Sequence, residues 1–117
     1  MVKKIFALAV IILVLGMAAI SLAEMKGDAA AGKKVYEGVC VTCHGKEGKG
    51  DGPASMALNP RPRSFSDQAV VAKSDKEIFD TITRGRPGTP MASFEKTLTE
   101  QERWDILVYV RSLGGKK

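Results

Sequence analysis

The stretch Cys40-Val41-Thr42-Cys43-His44 decides how the rest of this chain is interpreted. In a C-x-x-C-H pattern, two thiols add across the vinyl groups of a haem while the adjacent imidazole reaches the iron. The two intervening residues place the sulfurs about one helical turn apart, which suits the separation of the vinyl groups. The motif therefore predicts one haem c, attached covalently through Cys40 and Cys43, with His44 as an axial ligand of the iron.

Three other kinds of site use two cysteines at this spacing. A zinc site needs about four ligands, and this chain has two Cys and one His, so carboxylates would have to complete it. A redox dithiol of the thioredoxin type is expected within a βαβ pattern, and no alternating strand pattern of useful length is present. A structural disulfide is the third alternative. The histidine directly after the second cysteine favours haem attachment over all three.

The numbers of histidines and methionines limit the candidates for the second axial ligand. His44 is the only histidine, which leaves methionine, lysine, water or an open position. Three of the five methionines lie in or next to the N-terminal apolar segment: Met1, Met17 and Met25. Met56 follows His44 by 12 residues, whereas Met91 follows it by 47 residues in a Thr-Pro-Met sequence. A lone methionine is more often core filler, but proline stiffening lowers the entropy cost of holding a weak thioether ligand, so Met91 is the predicted sixth ligand.

The first 23 residues have the pattern of a secretory signal peptide. Lys3 and Lys4 precede an uncharged run over 5–20, and Ser21-Leu22-Ala23 places small residues at the −3 and −1 positions of a cleavage site. Residues 1–23 are therefore predicted to be a signal peptide, and residues 24–117 to be one haem-binding domain in the periplasm. Because the apolar run approaches the about 20 residues that span a bilayer, an uncleaved anchor is the alternative.

Composition limits the classes of function. The 117 residues carry 18 Lys+Arg and 13 Asp+Glu, a formal net charge of +5, and loss of residues 1–23 would remove two lysines and no acid to leave +3. Such a weak excess does not support nucleic-acid binding, and two cysteines exclude a scaffold of several disulfides. A chain this short, 44% hydrophobic, is expected to form one domain with a marginal apolar core.

Helix signals lie on both sides of the cysteine motif. Asp28 can cap a helix that leads into the motif. Two capping boxes predict two further helices: Ser74-Asp75-Lys76-Glu77 and Thr99-Glu100-Gln101-Glu102. These helices are expected to end before Gly85 and at Gly114, while the Gly- and Pro-rich stretches 45–63 and 84–91 predict loops. The predicted fold class is all-α.

Most of the chain, from Gly27 to Leu113, resembles the class I cytochromes c, which are small proteins with one haem. The resemblance rests on the following motifs: the spacing of Gly32, Tyr36 and Cys40, the pair Gly52-Pro53, Thr89-Pro90-Met91, and the closing stretch from Trp104 to Leu113. The runs Gly48-x-Gly50-x-Gly52 and Asn59-Pro60-Arg61-Pro62 are similar to bacterial periplasmic members.

This resemblance implies a cytochrome c fold, in which the N- and C-terminal helices cross and loops wrap around the haem. It implies that Gly32 and Tyr36 pack on Leu107 and Tyr109 or their neighbours. It also implies that the carbonyl of Pro53, nine residues after the motif histidine, accepts a hydrogen bond from the ligand imidazole and fixes its tautomer.

Five more side chains are candidates for hydrogen bonds to the haem propionates: Arg61, Arg63, Arg84, Arg86 and Trp104. An exposed arginine is more often a solvated surface charge, so none of them is assigned from the sequence.

The function favoured by these features is that of a periplasmic one-electron carrier. An iron with both axial positions filled offers no open site, so neither a small-molecule substrate nor an enzymatic activity is expected. One alternative is a gas or redox sensor in which Met91 is displaced, and another is a subunit of a periplasmic oxidoreductase held by an uncleaved N-terminus. The expected partners are redox proteins with acidic docking surfaces, with no nucleic acid, and with a membrane only if the N-terminal segment stays attached.

Overall fold

The computed structural model describes residues 26–115 of the chain. Its helices are α1 (Ala29–Val39), α2 (Val41–His44), α3 (Gln68–Val71), α4 (Asp75–Arg84) and α5 (Glu100–Leu113), with a short 3-10 helix at Ser55–Ala57. This part of the chain contains no strand, which confirms the all-α prediction. Within it, no helix has both the length and the apolar character needed to cross a membrane. The predicted signal peptide, residues 1–23, lies outside the described residues.

The helices begin where the sequence predicts. Asp28 accepts a hydrogen bond from the backbone of Ala30 at 2.9 Å. Both capping boxes are complete, with side-chain-to-backbone hydrogen bonds in each direction: Ser74 with Glu77, and Thr99 with Glu102. These bonds satisfy N–H groups that have no partner within the first turn of a helix. The short helix α3, which is capped by Asp67, was not predicted because four residues are too few to show a helical period.

Helices α1 and α5 cross at a glycine and make the most extensive helix–helix contact. Gly32 is buried, and a Cβ atom built there would lie 1.9 Å from the backbone oxygen of Asp105. Four residues later Tyr36 is fully buried, with its ring centroid 5.2 Å from that of Tyr109. The packing of this glycine and this tyrosine on the C-terminal helix confirms the expected crossing.

The close approach at Gly32 makes a testable prediction. Gly32→Ala should lower the free energy of unfolding by about 1–3 kcal/mol, because the added methyl group meets backbone that cannot rotate away. Gly38→Ala on the same helix has no atom within 4 Å and should instead stabilise by about 0.5–1 kcal/mol. Urea unfolding of both variants measures the difference, and two variants of equal stability would contradict this account of the crossing.

The buried apolar core lies between α1, α4 and α5. It consists of six residues: Tyr36, Ile78, Ile82, Ile106, Leu107 and Val110. All of them except Leu107 also face a cavity beside the core. The core is therefore one wall of this cavity.

Candidate functional site

A cavity of about 500 Å³ lies beside the core. Its volume falls within the about 300–1,000 Å³ that is usual for sites of small molecules and cofactors. Helix α2, the loop from 58 to 65, helix α4 and the loop from 86 to 94 all contribute to its mostly apolar walls. The structure brings Cys40, Cys43, His44 and Met91 to this one cavity.

His44 ends the short helix α2, and its ring stacks on that of Phe65. The two centroids are 5.1 Å apart, with 26° between the ring planes. Phe65 is held by a hydrogen bond from its N–H to the carbonyl of Gly48 at 2.8 Å. Gly48 has a φ of +70°, and a Cβ atom there would lie 2.3 Å from the Phe65 ring, so both the turn and the close approach require glycine. Sequence reasoning missed Phe65, since an isolated phenylalanine in a loop carries no local signal.

Burial lowers the pKa of the His44 imidazole, which favours the neutral form that a metal needs. Its Nδ1 atom is buried and has no hydrogen-bond partner among the described residues. Pro53 is exposed and does not line the cavity, and the hydrogen bond from the ligand imidazole to its carbonyl stays a prediction. The stacking on Phe65 restricts the orientation of the ring.

The two cysteines are free thiols on adjacent turns of the chain. Cys40 joins α1 to α2, and its carbonyl accepts hydrogen bonds from the N–H groups of Cys43 and His44 at 3.3 and 2.9 Å. Burial, and secondarily the charge of Cys43, raises the pKa of Cys40 to about 11. The structural disulfide is not formed, and residues 26–115 contain no group of three or more His, Cys, Asp or Glu placed to bind zinc.

Met91 reaches the cavity from the loop between α4 and α5. This loop is closed on itself, because the N–H of Arg86 donates to the Met91 carbonyl at 3.1 Å and the hydroxyl of Thr89 donates to the Arg86 carbonyl at 2.7 Å. Met56, the other methionine that was weighed as a ligand, is 79% exposed and does not line the cavity. The structure therefore separates these two methionines as the residue spacing predicts.

Four cations line the cavity: Arg61, Arg63, Lys73 and Arg86. No carboxylate lines it among the described residues. Two of the side chains weighed for haem propionates lie elsewhere, since neither Arg84 nor Trp104 is part of the lining and Trp104 stacks on Phe79 instead. Lys73 was missed by sequence reasoning, because its position depends on the unpredicted helix α3.

The side chains that line the cavity are chemically suited to a haem c. Apolar walls accept a porphyrin, and cations in a lining without carboxylates suit its two propionates. Two free thiols at the cavity wall can form the thioether bonds, and the buried imidazole has a ring nitrogen that no described residue uses. The donor set therefore fits one covalently held haem.

Comparison with known proteins agrees with a site for covalently bound haem. A family model described as Cytochrome c matches residues 29–114. Cytochrome c-554(547) of Halothiobacillus neapolitanus is 30% identical over 91 residues, which cover 74% of this chain and 98% of that protein. A solved structure of the reducing HAO-like protein complex of Kuenenia stuttgartiensis is 38% identical with a TM-score of 0.66, over 73% of this chain and 43% of that chain.

A longer relative is the Cbb3-type cytochrome c oxidase subunit FixP of Bradyrhizobium sp. (strain ORS 278). It is 40% identical over 91 residues, which cover 77% of this chain and 29% of FixP. The chain thus spans less than a third of the length of this relative. The family match covers most of the chain, and the cavity is lined by two thiols and an imidazole at the spacing of a haem-attachment motif. The chain belongs to the cytochrome c family, whose members carry electrons on a covalently bound haem c.

Proposed function

We propose that this protein is an exported one-electron carrier whose haem iron is held by His44 and Met91. The observation that carries the proposal is that two residues 47 positions apart face one cavity, while the alternative methionine is exposed. With both axial positions filled by the chain, no position is open to a substrate, which supports a carrier rather than a catalyst.

The haem supplies a reversible change of iron between its ferric and ferrous states. The chain controls how easily that change occurs. A thioether ligand raises the reduction potential. The apolar wall formed by Ile78, Ile82 and Val110 acts in the same direction, because it disfavours the additional positive charge of the ferric state.

In this proposal, the cations that line the cavity bind the haem propionates. Arg61, Arg63, Lys73 and Arg86 would neutralise the propionates and so lower the cost of placing two carboxylates against apolar walls. Only Arg63 has a carboxylate near its guanidinium among the described ion pairs, Asp67 at 3.5 Å. Arg61, Lys73 and Arg86 form none of the described ion pairs.

We infer that the partners are redox proteins with acidic docking faces. FixP is named as a subunit of an oxidase, and the Kuenenia structure is named as a protein complex, which supports contact with larger redox assemblies. Arg61, Arg63 and Arg86 are exposed as well as lining the cavity, so positive charge lies on the solvent side of the cavity. Encounters steered by such charges are expected to weaken at high salt.

The test is the absorption spectrum of the protein made together with the haem-attachment machinery. We expect c-type bands in the reduced protein and, in the oxidised protein, the weak far-red band of ferric haem with a methionine ligand. Carbon monoxide should leave the reduced spectrum unchanged at neutral pH. Attached haem without the far-red band would reject Met91 as the ligand, and a carbon monoxide adduct would favour the sensor function.

A further inference from the structure

The segment that follows Met91 is fastened to the end of helix α4. Residues 91–95 run beside residues 82–86, and four hydrogen bonds join the two stretches. The Arg86 N–H donates to the Met91 carbonyl (3.1 Å), and the Phe94 N–H donates to the Ile82 carbonyl (3.3 Å). The Thr83 carbonyl accepts from both the Glu95 N–H (3.1 Å) and the Ser93 hydroxyl (2.6 Å). Of these donors, only the hydroxyl of Ser93 belongs to a side chain. It is therefore the one anchor here that truncation of a side chain can remove.

The far end of the same segment is held by an arginine of helix α5. Arg103 is only 9% exposed, and its Nη1 atom donates to the carbonyls of Leu98 at 2.6 Å and Glu95 at 3.2 Å. The guanidinium lies 5.5 Å from the ring centroid of Phe79, which stacks on Trp104 at 4.1 Å. Because this stack and the burial restrict the arginine, its two hydrogen bonds are held in one geometry.

We propose that Arg103 is a positioning residue that sets how firmly Met91 holds the iron. The inference rests on the proposed role of Met91 as the ligand. The thioether is a weak ligand, and its detachment requires the segment that carries it to move. Since Arg103 restrains residues 95–98 and α4 restrains residues 91–95, loss of the arginine frees one end and favours the detached state.

Helix α5 supplies a matched control in Arg111. It is also 9% exposed, and it also donates to two backbone carbonyls, those of Val70 and Lys73, besides the carboxylate of Asp75 at 2.9 Å. These contacts anchor the chain from α3 to the start of α4 and not the segment after Met91. The two arginines thus match in helix, in burial and in donating to two backbone carbonyls. They differ in the ion pair of Arg111 and in the segment that each one holds.

The experiment measures imidazole binding to the oxidised haem protein in Arg103→Met, Arg103→Lys and Arg111→Met. Imidazole binds the iron only when Met91 has left, so its apparent Kd reports the fraction detached. We expect Arg103→Met to bind imidazole about tenfold more tightly than the parent protein, which corresponds to about 1.4 kcal/mol. Arg103→Lys, which keeps a donor, should give a smaller change, and Arg111→Met should stay within about twofold.

Each result of the imidazole titrations either supports or overturns the role of Arg103. An equal shift in Arg103→Met and Arg111→Met would show a general loss of stability and overturn it, as would no shift in either. If Arg103→Met does not retain haem, Arg103→Lys replaces it, with about threefold tighter binding in support and no change against. A parent protein without the far-red band would instead reject Met91 as the ligand, which separates failure of the proposed function from failure of this inference.

Discussion

Replacement of both Cys40 and Cys43 by alanine is expected to leave a chain without covalent haem and with most of its helical signal lost. Five of the six buried apolar residues face the haem cavity, so the core is closed only when the cofactor is in place. Without the haem, this cavity of about 500 Å³ is open to water, and the apolar side chains that line it lose the burial that stabilises the core. A typical domain is stable by only about 5–15 kcal/mol, so the loss of this burial is expected to unfold most of the chain.

Haem staining on a denaturing gel and far-ultraviolet circular dichroism measure the two effects. The control is Thr42→Ala, which changes an exposed side chain between the cysteines and should keep both the haem and the helicity. Native helicity in the double variant without haem would contradict the dependence of the core on the cofactor.

Met91→Ala is expected to open one axial position and change the redox chemistry without loss of the haem, which the cysteines retain. The far-red band of the oxidised protein should disappear, and the reduced protein should bind carbon monoxide at neutral pH. The reduction potential should fall by on the order of 0.1–0.2 V, within the about 0.8 V range over which axial ligands act.

Met56→Ala is the matched control, because Met56 is 79% exposed and lies outside the cavity lining. The reduction potential and the far-red band of Met56→Ala should equal those of the parent protein. Like the parent protein, this variant should not bind carbon monoxide. A far-red band that survives in Met91→Ala and vanishes in Met56→Ala would reverse the ligand assignment.

Much of the fold could be predicted because its signals are local. The caps at Asp28, Ser74 and Thr99 each rest on residues within one helical turn, and all three helices begin where these caps predict. The crossing at Gly32 followed from the resemblance rather than from a local pattern, and the structure confirms it. Helix α3 escaped prediction because a single helical turn has no period to detect.

The site was predictable only in part. The cysteine motif and Met91 were predicted from the sequence because their residue types are rare in this chain and chemically specific, and the structure places them at one cavity. Two features of the site were missed: the stacking of His44 on Phe65 and the cavity position of Lys73. The first joins residues that are far apart in sequence, and the second depends on the path of the chain after α3. Such contacts carry no local signal.

The sequence by itself determined which chemistry this protein can perform, because covalent attachment and ligation depend on residue identity and on spacing within a few positions. It also determined where the three longer helices start, for the same local reason. Only the tertiary structure decided that Met91 and not Met56 faces the cavity of His44, that three of five candidate side chains line it, and that Arg103 holds the segment behind Met91. These relations arise when α1 and α5 cross and the loops close over the core, so they depend on packing between distant parts of the chain.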